Sequence, residues 1–240
     1  MFTVRPSASR GHANHGWLDS YHSFSFANYY DEKYMQYSVL RVINEDVIAP
    51  QMGFGMHSHR DMEIVTYMLS GELKHSDSLG NGSVIKAGDV QRMTAGTGIR
   101  HSEVNASADD SAHLLQIWLL PNAQNLTPSY EEIHFTAAQK QNQWCLLAAQ
   151  NPTLVDGKAS ALHIHQDLKL FATDLIKDSS LSFTLLPKRC AYLQLARGAL
   201  EVAGQKLQAG DALMIEDEAL FKITALEDSE ALLFDLPVSF

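Results

Sequence analysis

The stretch Gly53-Phe54-Gly55-Met56-His57-Ser58-His59-Arg60-Asp61-Met62-Glu63 decides how the chain is read, together with a second, Gly98-Ile99-Arg100-His101-Ser102-Glu103. In an extended strand, side chains two residues apart leave the same side. His57 and His59 therefore project together, and so do His101 and Glu103. Glu63 lies two further steps along the face of His57 and His59, provided the strand carries no bulge. Two such pairs on neighbouring strands can converge on one cation and leave part of its shell open. Neutral imidazoles and a carboxylate suit a divalent transition metal, and an open position suits catalysis. Spacing alone leaves both Glu63 and Glu103 as carboxylate ligands.

A chain with 11 histidines produces an isolated His-x-His by chance. Context raises these two runs above coincidence. Each follows a glycine-rich turn, and strand-like sequence follows at 62–69 and 113–120. Between them lie Gly71-Glu72, Asn81-Gly82 and Gly88-Asp89, the punctuation of hairpins. Further strand-like runs occupy 37–43, 181–186 and 230–236, and helical periodicity is scarce beyond a short helix expected within 136–143. Trp17 and Met35 are expected to pack as isolated apolar residues. The pattern predicts an all-β sandwich or barrel.

The 240 residues suffice for two small domains with a substantial core. Net charge is −10, from 28 acidic and 18 basic residues, with no basic cluster beyond Lys188-Arg189. Nucleic-acid binding rests on clustered cations that neutralise phosphates, so it is not expected. No run reaches the apolar length of a membrane span, and the amino terminus lacks a secretory h-region. With two cysteines, Cys145 and Cys190, no disulfide framework is indicated, and a reducing cytoplasm is the expected compartment. No exposed apolar periodicity demands a partner.

The chain also echoes itself. A strand ends at Gly71 and Gly88-Asp89 opens the next; later a strand ends at Gly198 and Gly210-Asp211 opens the next, at intervals of 17 and 12 residues. Two barrels of one design follow, at 1–135 and 136–240. Counting from the second set of glycines places Thr184, Leu186 and Ile223 where the first half has histidines. The second barrel keeps the shape and has no metal ligands. A further His-x-His, His163 and His165, precedes the later strands and is expected to be structural or superficial.

Residues 53–71 and 88–101 resemble the two cupin motifs, G(x)5HxH(x)3,4E(x)6G and G(x)5PxG(x)2H. They depart from them at several points. Three residues separate Gly53 from His57, seven separate Glu63 from Gly71, Thr94 replaces the proline, and two extra residues precede His101. With Arg10-Gly11-His12-Ala13-Asn14-His15-Gly16-Trp17, His22-Ser23-Phe24-Ser25-Phe26 and Met93-Thr94-Ala95-Gly96-Thr97-Gly98, the chain resembles the pirin family of bicupins, and more closely its bacterial quercetinase-type members. The resemblance implies a monomer of two tandem cupin (jelly-roll) domains, a single metal in the first, and His57, His59, His101 and Glu103 as ligands, leaving Glu63 beside the pocket. It implies a metal-dependent quercetin 2,3-dioxygenase, with Glu103 as base, acting on a small aromatic substrate and O2. Iron(II) is the metal expected, with manganese, cobalt, nickel, copper and zinc fitting the same donors. Phe26, Phe54, Gln116 and Trp118 are the expected pocket walls, Gln116 and Trp118 sharing one strand face. Two alternatives stand beside the dioxygenase. One is a non-enzymatic, metal-dependent regulator that docks to a protein partner; the other is a zinc-type isomerase or hydrolase.

Overall fold

Alternation of inward apolar and outward polar residues leaves each strand one face to bury, and two sheets bury those faces against each other. The computed structural model describes residues 1–155 and 158–239. Contacts divide the chain into two compact units. One comprises Gly11–His134 with Ile164–Gln166; the other comprises Met1–Arg10, Phe135–His163 and Asp167–Phe240. A single cut at residue 135 misses the exchange of the first ten residues. Phe2–Arg5 forms an edge strand beside Ala212–Ile215, because its backbone finds antiparallel partners there.

In the amino-terminal unit a seven-stranded sheet runs in the order Ser129–His134, Asp89–Thr94, Glu63–Ser70, Ala112–Leu119, Leu40–Ile48, Leu18–His22, Gly11–Asn14. Its partner sheet runs Gly53–His59, Ile99–Asn105, Glu72–Asp77, Gly82–Lys86. The carboxy-terminal unit repeats the plan. Its larger sheet centres on Ala212–Ile215, Arg189–Arg197, Ser229–Pro237 and Lys169–Leu175, and its smaller sheet runs Ser180–Thr184, Leu220–Ala225, Ala199–Val202, Gln205–Gln208. Both are cupin sandwiches. The expected helix is one turn, Ala137–Lys140, closed by a capping box between Thr136 and Gln139. Cys145 and Cys190 are buried thiols, and Met35, expected to pack, is exposed on the surface.

The echo is exact enough to compare registers. Gly71 and Gly198 have φ of +73° and +80°, and a Cβ at either would lie within 2.5 Å of a carbonyl oxygen, of Ser111 and Asp228 respectively. Five residues before each glycine stand Thr66 and Leu193. Thr66 is flanked in register by Gln91 and Gln116, and Leu193 by Leu213 and Leu233. On the smaller sheets, Leu73 pairs Asn105 and His75 pairs Glu103, while Leu200 pairs Ala225 and Val202 pairs Ile223. Ile223 thus answers to Glu103, and Phe221, with its partner Phe183, answers to His101 and His57. This shifts the sequence count: Phe183 and Leu185, not Thr184 and Leu186, occupy the places of His57 and His59.

The outcome is one barrel with a polar middle and one without. Leu193, Leu213, Leu233, Ile223, Phe221 and Leu185 belong to a single apolar cluster. In the amino-terminal unit the corresponding places are polar, and apolar groups gather to either side, one around Met68, Leu73 and Leu114 and another around Ile64, Met93 and Ile99. Leu193 is fully buried between two leucines, so Leu193→Ala is expected to destabilise the carboxy-terminal unit by about 2–5 kcal/mol. Urea unfolding followed by fluorescence checks this.

Candidate metal centre

His57 and His59 sit on Gly53–His59, whose intervening Met56 and Ser58 point outward to solvent. His101 and Glu103 sit on the adjacent Ile99–Asn105, buried while Arg100 is exposed. Antiparallel pairing sets His101 directly opposite His57, and Ile99 opposite His59. A bulge then moves Glu103 opposite Phe54, re-aiming its side chain relative to the imidazoles. Ring centroids lie 4.7 Å apart for His57–His59, 4.5 Å for His57–His101 and 4.9 Å for His59–His101.

The tautomer of His57 follows from its surroundings. Nδ1–H donates to the Gly55 carbonyl at 2.8 Å, which leaves the Nε2 lone pair facing Nε2 of His101 at 3.0 Å. Two imidazole nitrogens about 2.1 Å from a common ion at right angles would be about 3.0 Å apart. One ligand atom from each of His57, His59 and His101 falls within 4.8 Å of the others. The donor set therefore fits a divalent transition metal. His101 Nδ1 is buried without a hydrogen-bond partner.

Glu103 is 1% exposed, and its carboxylate is held from the opposite sheet. Oε1 accepts from Gln91 Nε2 at 2.8 Å and Thr66 Oγ1 at 3.4 Å; Oε2 accepts from Gln116 Nε2 at 2.6 Å. Gln91 is oriented in turn by the Tyr130 hydroxyl at 3.1 Å. Glu103 also groups with His101 and with His75, a residue the sequence reading missed. His75 lies fully buried against Tyr130; its Nε2 meets Asp77 at 3.1 Å and its Nδ1 has no partner. A signal for it existed: His75 and Asp77 stand two apart on the strand after Gly71, sharing a face.

Glu63, expected beside the pocket, lies elsewhere. The strand holding His57 and His59 ends at His59, and Asp61 turns with φ +49° before Glu63 opens a strand of the other sheet. The turn breaks the alternation on which the expectation rested. The Glu63 carboxylate is fully buried and accepts from Thr94 Oγ1 at 2.9 Å and from His165 through its backbone N–H and Nδ1, both at 2.8 Å. His165 thus has the structural role foreseen for the second His-x-His.

Beside the imidazoles opens a cavity of about 720 Å³ whose wall includes His57, His59, Glu103, Gln116, Trp118, Phe26 and Phe54. Trp118 stands edge-on to both His59 and Phe26, at 4.9 and 5.4 Å, and Trp17 stands edge-on to Phe54 at 5.3 Å. The wall is aromatic, with polar groups at a few points, as small-molecule sites are.

The Pirin family pattern matches residues 3–119, and the pattern described as quercetinase C-terminal cupin domain matches residues 155–236. A protein of Escherichia coli K12 named quercetin 2,3-dioxygenase is 46% identical over 237 residues, covering 99% of each chain. The chain belongs to the pirin family. A pirin-like protein of Caulobacter vibrioides is 40% identical to this pirin over 98% of it and 99% of the relative. The E. coli pirin YhhW, solved in complex with nickel(II), superposes on it with a TM-score of 0.91 at 46% identity, over 99% of both chains.

Electrostatics complete the site of this pirin. Burial, reinforced by the neighbouring imidazoles, lowers His59 to about 4 and His101 to about 3. Both rings are neutral at physiological pH, with lone pairs available for a cation. Burial pushes Asp46, also on the cavity wall, up to about 7, against the hydrogen bond from Ser20 and with help from Glu103. The folded chain then keeps a proton that the unfolded chain releases, so stability falls as pH rises between the unfolded value of 3.8 and about 7. Asp46→Asn removes that dependence. The metal-free variant is expected to melt at least about 2 °C above metal-free wild type at about pH 8, with a smaller gap at about pH 5. Thermal denaturation at the two pH values tests the sign.

Proposed function

We propose that this pirin is a metal-dependent dioxygenase that opens the heterocycle of a quercetin-type flavonol, with His57, His59, His101 and Glu103 as metal ligands. The observation that carries the reading is the convergence of three imidazoles, two of which (His57 and His59) line an aromatic cavity together with the buried carboxylate of Glu103. The name of the E. coli relative supports the reaction, and the nickel complex of YhhW supports metal binding by this fold. Iron(II) is the ion we assign; manganese, cobalt, nickel, copper and zinc satisfy the same nitrogen and oxygen donors.

A bound divalent ion supplies Lewis acidity and a template that orders a substrate hydroxyl beside dioxygen. The residues do the rest. Neutral His59 and His101 bind without first losing a proton. Phe26 and Trp118 hold a flat ring system and keep bulk water off it. Glu103 takes the proton of the flavonol 3-hydroxyl, while Gln91, Gln116 and Thr66 keep its carboxylate in place. Flavonol and dioxygen give a depside and carbon monoxide.

Purified protein is expected to carry one metal ion per chain by elemental analysis. His101→Ala and Glu103→Gln should lower metal retention at least about tenfold. Glu63→Gln should leave retention unchanged, because that carboxylate serves Thr94 and His165; the reverse pattern would exchange the two glutamates' roles. Oxygen uptake with quercetin is expected from at least one of the iron-, manganese-, cobalt-, nickel- or copper-loaded forms, and its absence from all five removes the dioxygenase. Gln91→Leu, which unties Glu103, should reduce uptake by about 10–100-fold.

A further inference from the structure

The cavity has a second polar wall that the proposed metal centre does not use. Leu18–His22 and Leu40–Ile48 pair so that Ser20 faces Asp46 and His22 faces Asn44. All four side chains line the cavity, yet none is more than 4% exposed. Ser20 Oγ donates to Asp46 Oδ1 and lies 2.9 Å from His22 Nε2. Asn44 is different. Among the described residues nothing bonds its amide, and its Oδ1 is buried without a partner. Among the described residues none bonds the second oxygen of Asp46 either. Unsatisfied buried polar groups are disfavoured, and where they persist they mark a place that something else completes.

The geometry points to a second recognition point, at which Asn44 and Asp46, braced by Ser20 and His22, hold a hydroxyl on an aromatic ring remote from the group that reaches the imidazoles. This rests on the flavonol-type reading of the cavity. The Asn44 amide offers a donor and an acceptor, and Asp46 offers a further oxygen. A phenolic hydroxyl both donates and accepts, so one such group, or two adjacent ones, completes the set. Phe26 and Trp118 supply the aromatic wall that such a ring lies against. An anionic group is a poor occupant, since Asp46 and Glu103 share the cavity; Asp46 keeps its proton up to about 7, which suits a neutral partner. A site built to bond a hydroxyl discriminates against an analogue that lacks it.

Anaerobic titration of metal-loaded protein tests this apart from turnover. The probes are quercetin and 3-hydroxyflavone, which lacks the remote hydroxyls, and the signal is quenching of Trp17 and Trp118, both on the cavity wall. Wild type is expected to bind quercetin at least about tenfold more tightly. In Asn44→Leu that preference should fall to within about threefold of unity. Among the described residues the Asn44 side chain has no hydrogen bond to lose, and Asn44→Ala serves as a second, smaller replacement should leucine crowd the wall. Equal binding of the two compounds by wild type, a preference retained in the variants, or no binding of either compound overturns the inference. Aerobic turnover measured in parallel separates the two readings: a preference that depends on Asn44, without oxygen uptake, keeps this subsite and removes the dioxygenase.

Discussion

Glu103 is a carboxylate sealed inside a β-sandwich, and the middle of the amino-terminal unit is arranged around it. Removing such a group from water is costly unless hydrogen bonds replace the lost hydration. Three strands of the facing sheet each contribute one donor: Gln91, Thr66 and Gln116. They stand side by side because Thr66 is flanked in register by the two glutamines. The bonds tie one sheet to the other with a layer of polar contacts where a core would ordinarily be hydrocarbon. That layer separates the apolar group around Met68, Leu73 and Leu114 from the one around Ile64, Met93 and Ile99.

The carboxy-terminal unit shows what the same frame does without this constraint. Leucines 193, 213 and 233 take the places of the three donors, isoleucine 223 that of the carboxylate, and the interior closes into one apolar cluster. Hydrocarbon packing is the more stable filling, since it needs no partner for any polar atom. The polar layer is therefore kept for what it does rather than for the fold. It sets a carboxylate beside three imidazoles, of which His59 and His101 are kept neutral by burial and by the neighbouring rings, next to a cavity walled by aromatic rings.

Glu63 illustrates how two equally buried carboxylates come to differ. Both are surrounded by donors, but one answers to Thr94 and His165 and the other to the strands that line the cavity. The separation is made by the three residues between the strands, Arg60, Asp61 and Met62, in which Asp61 adopts a positive φ and the chain passes from one sheet to the other.

The sequence by itself determined the β class, the doubled plan, and the pairing of His57 with His59 and of His101 with Glu103, because strand alternation and glycine turns are local properties. Spacing could not choose between Glu63 and Glu103, since parity along a strand survives only while the strand does, and the turn at Asp61 is a consequence of sheet assembly. Residues whose meaning lies in their neighbours stayed invisible: Gln91 and Thr66 around Glu103, His75 between Asp77 and the interior, and Ser20 with Asp46 across the cavity wall. The membership of Phe2–Arg5 in the later sheet was likewise undecided by sequence, because a four-residue strand carries no sign of the distant edge that will accept its hydrogen bonds. Cross-strand register is a long-range property, and only the folded chain supplies it.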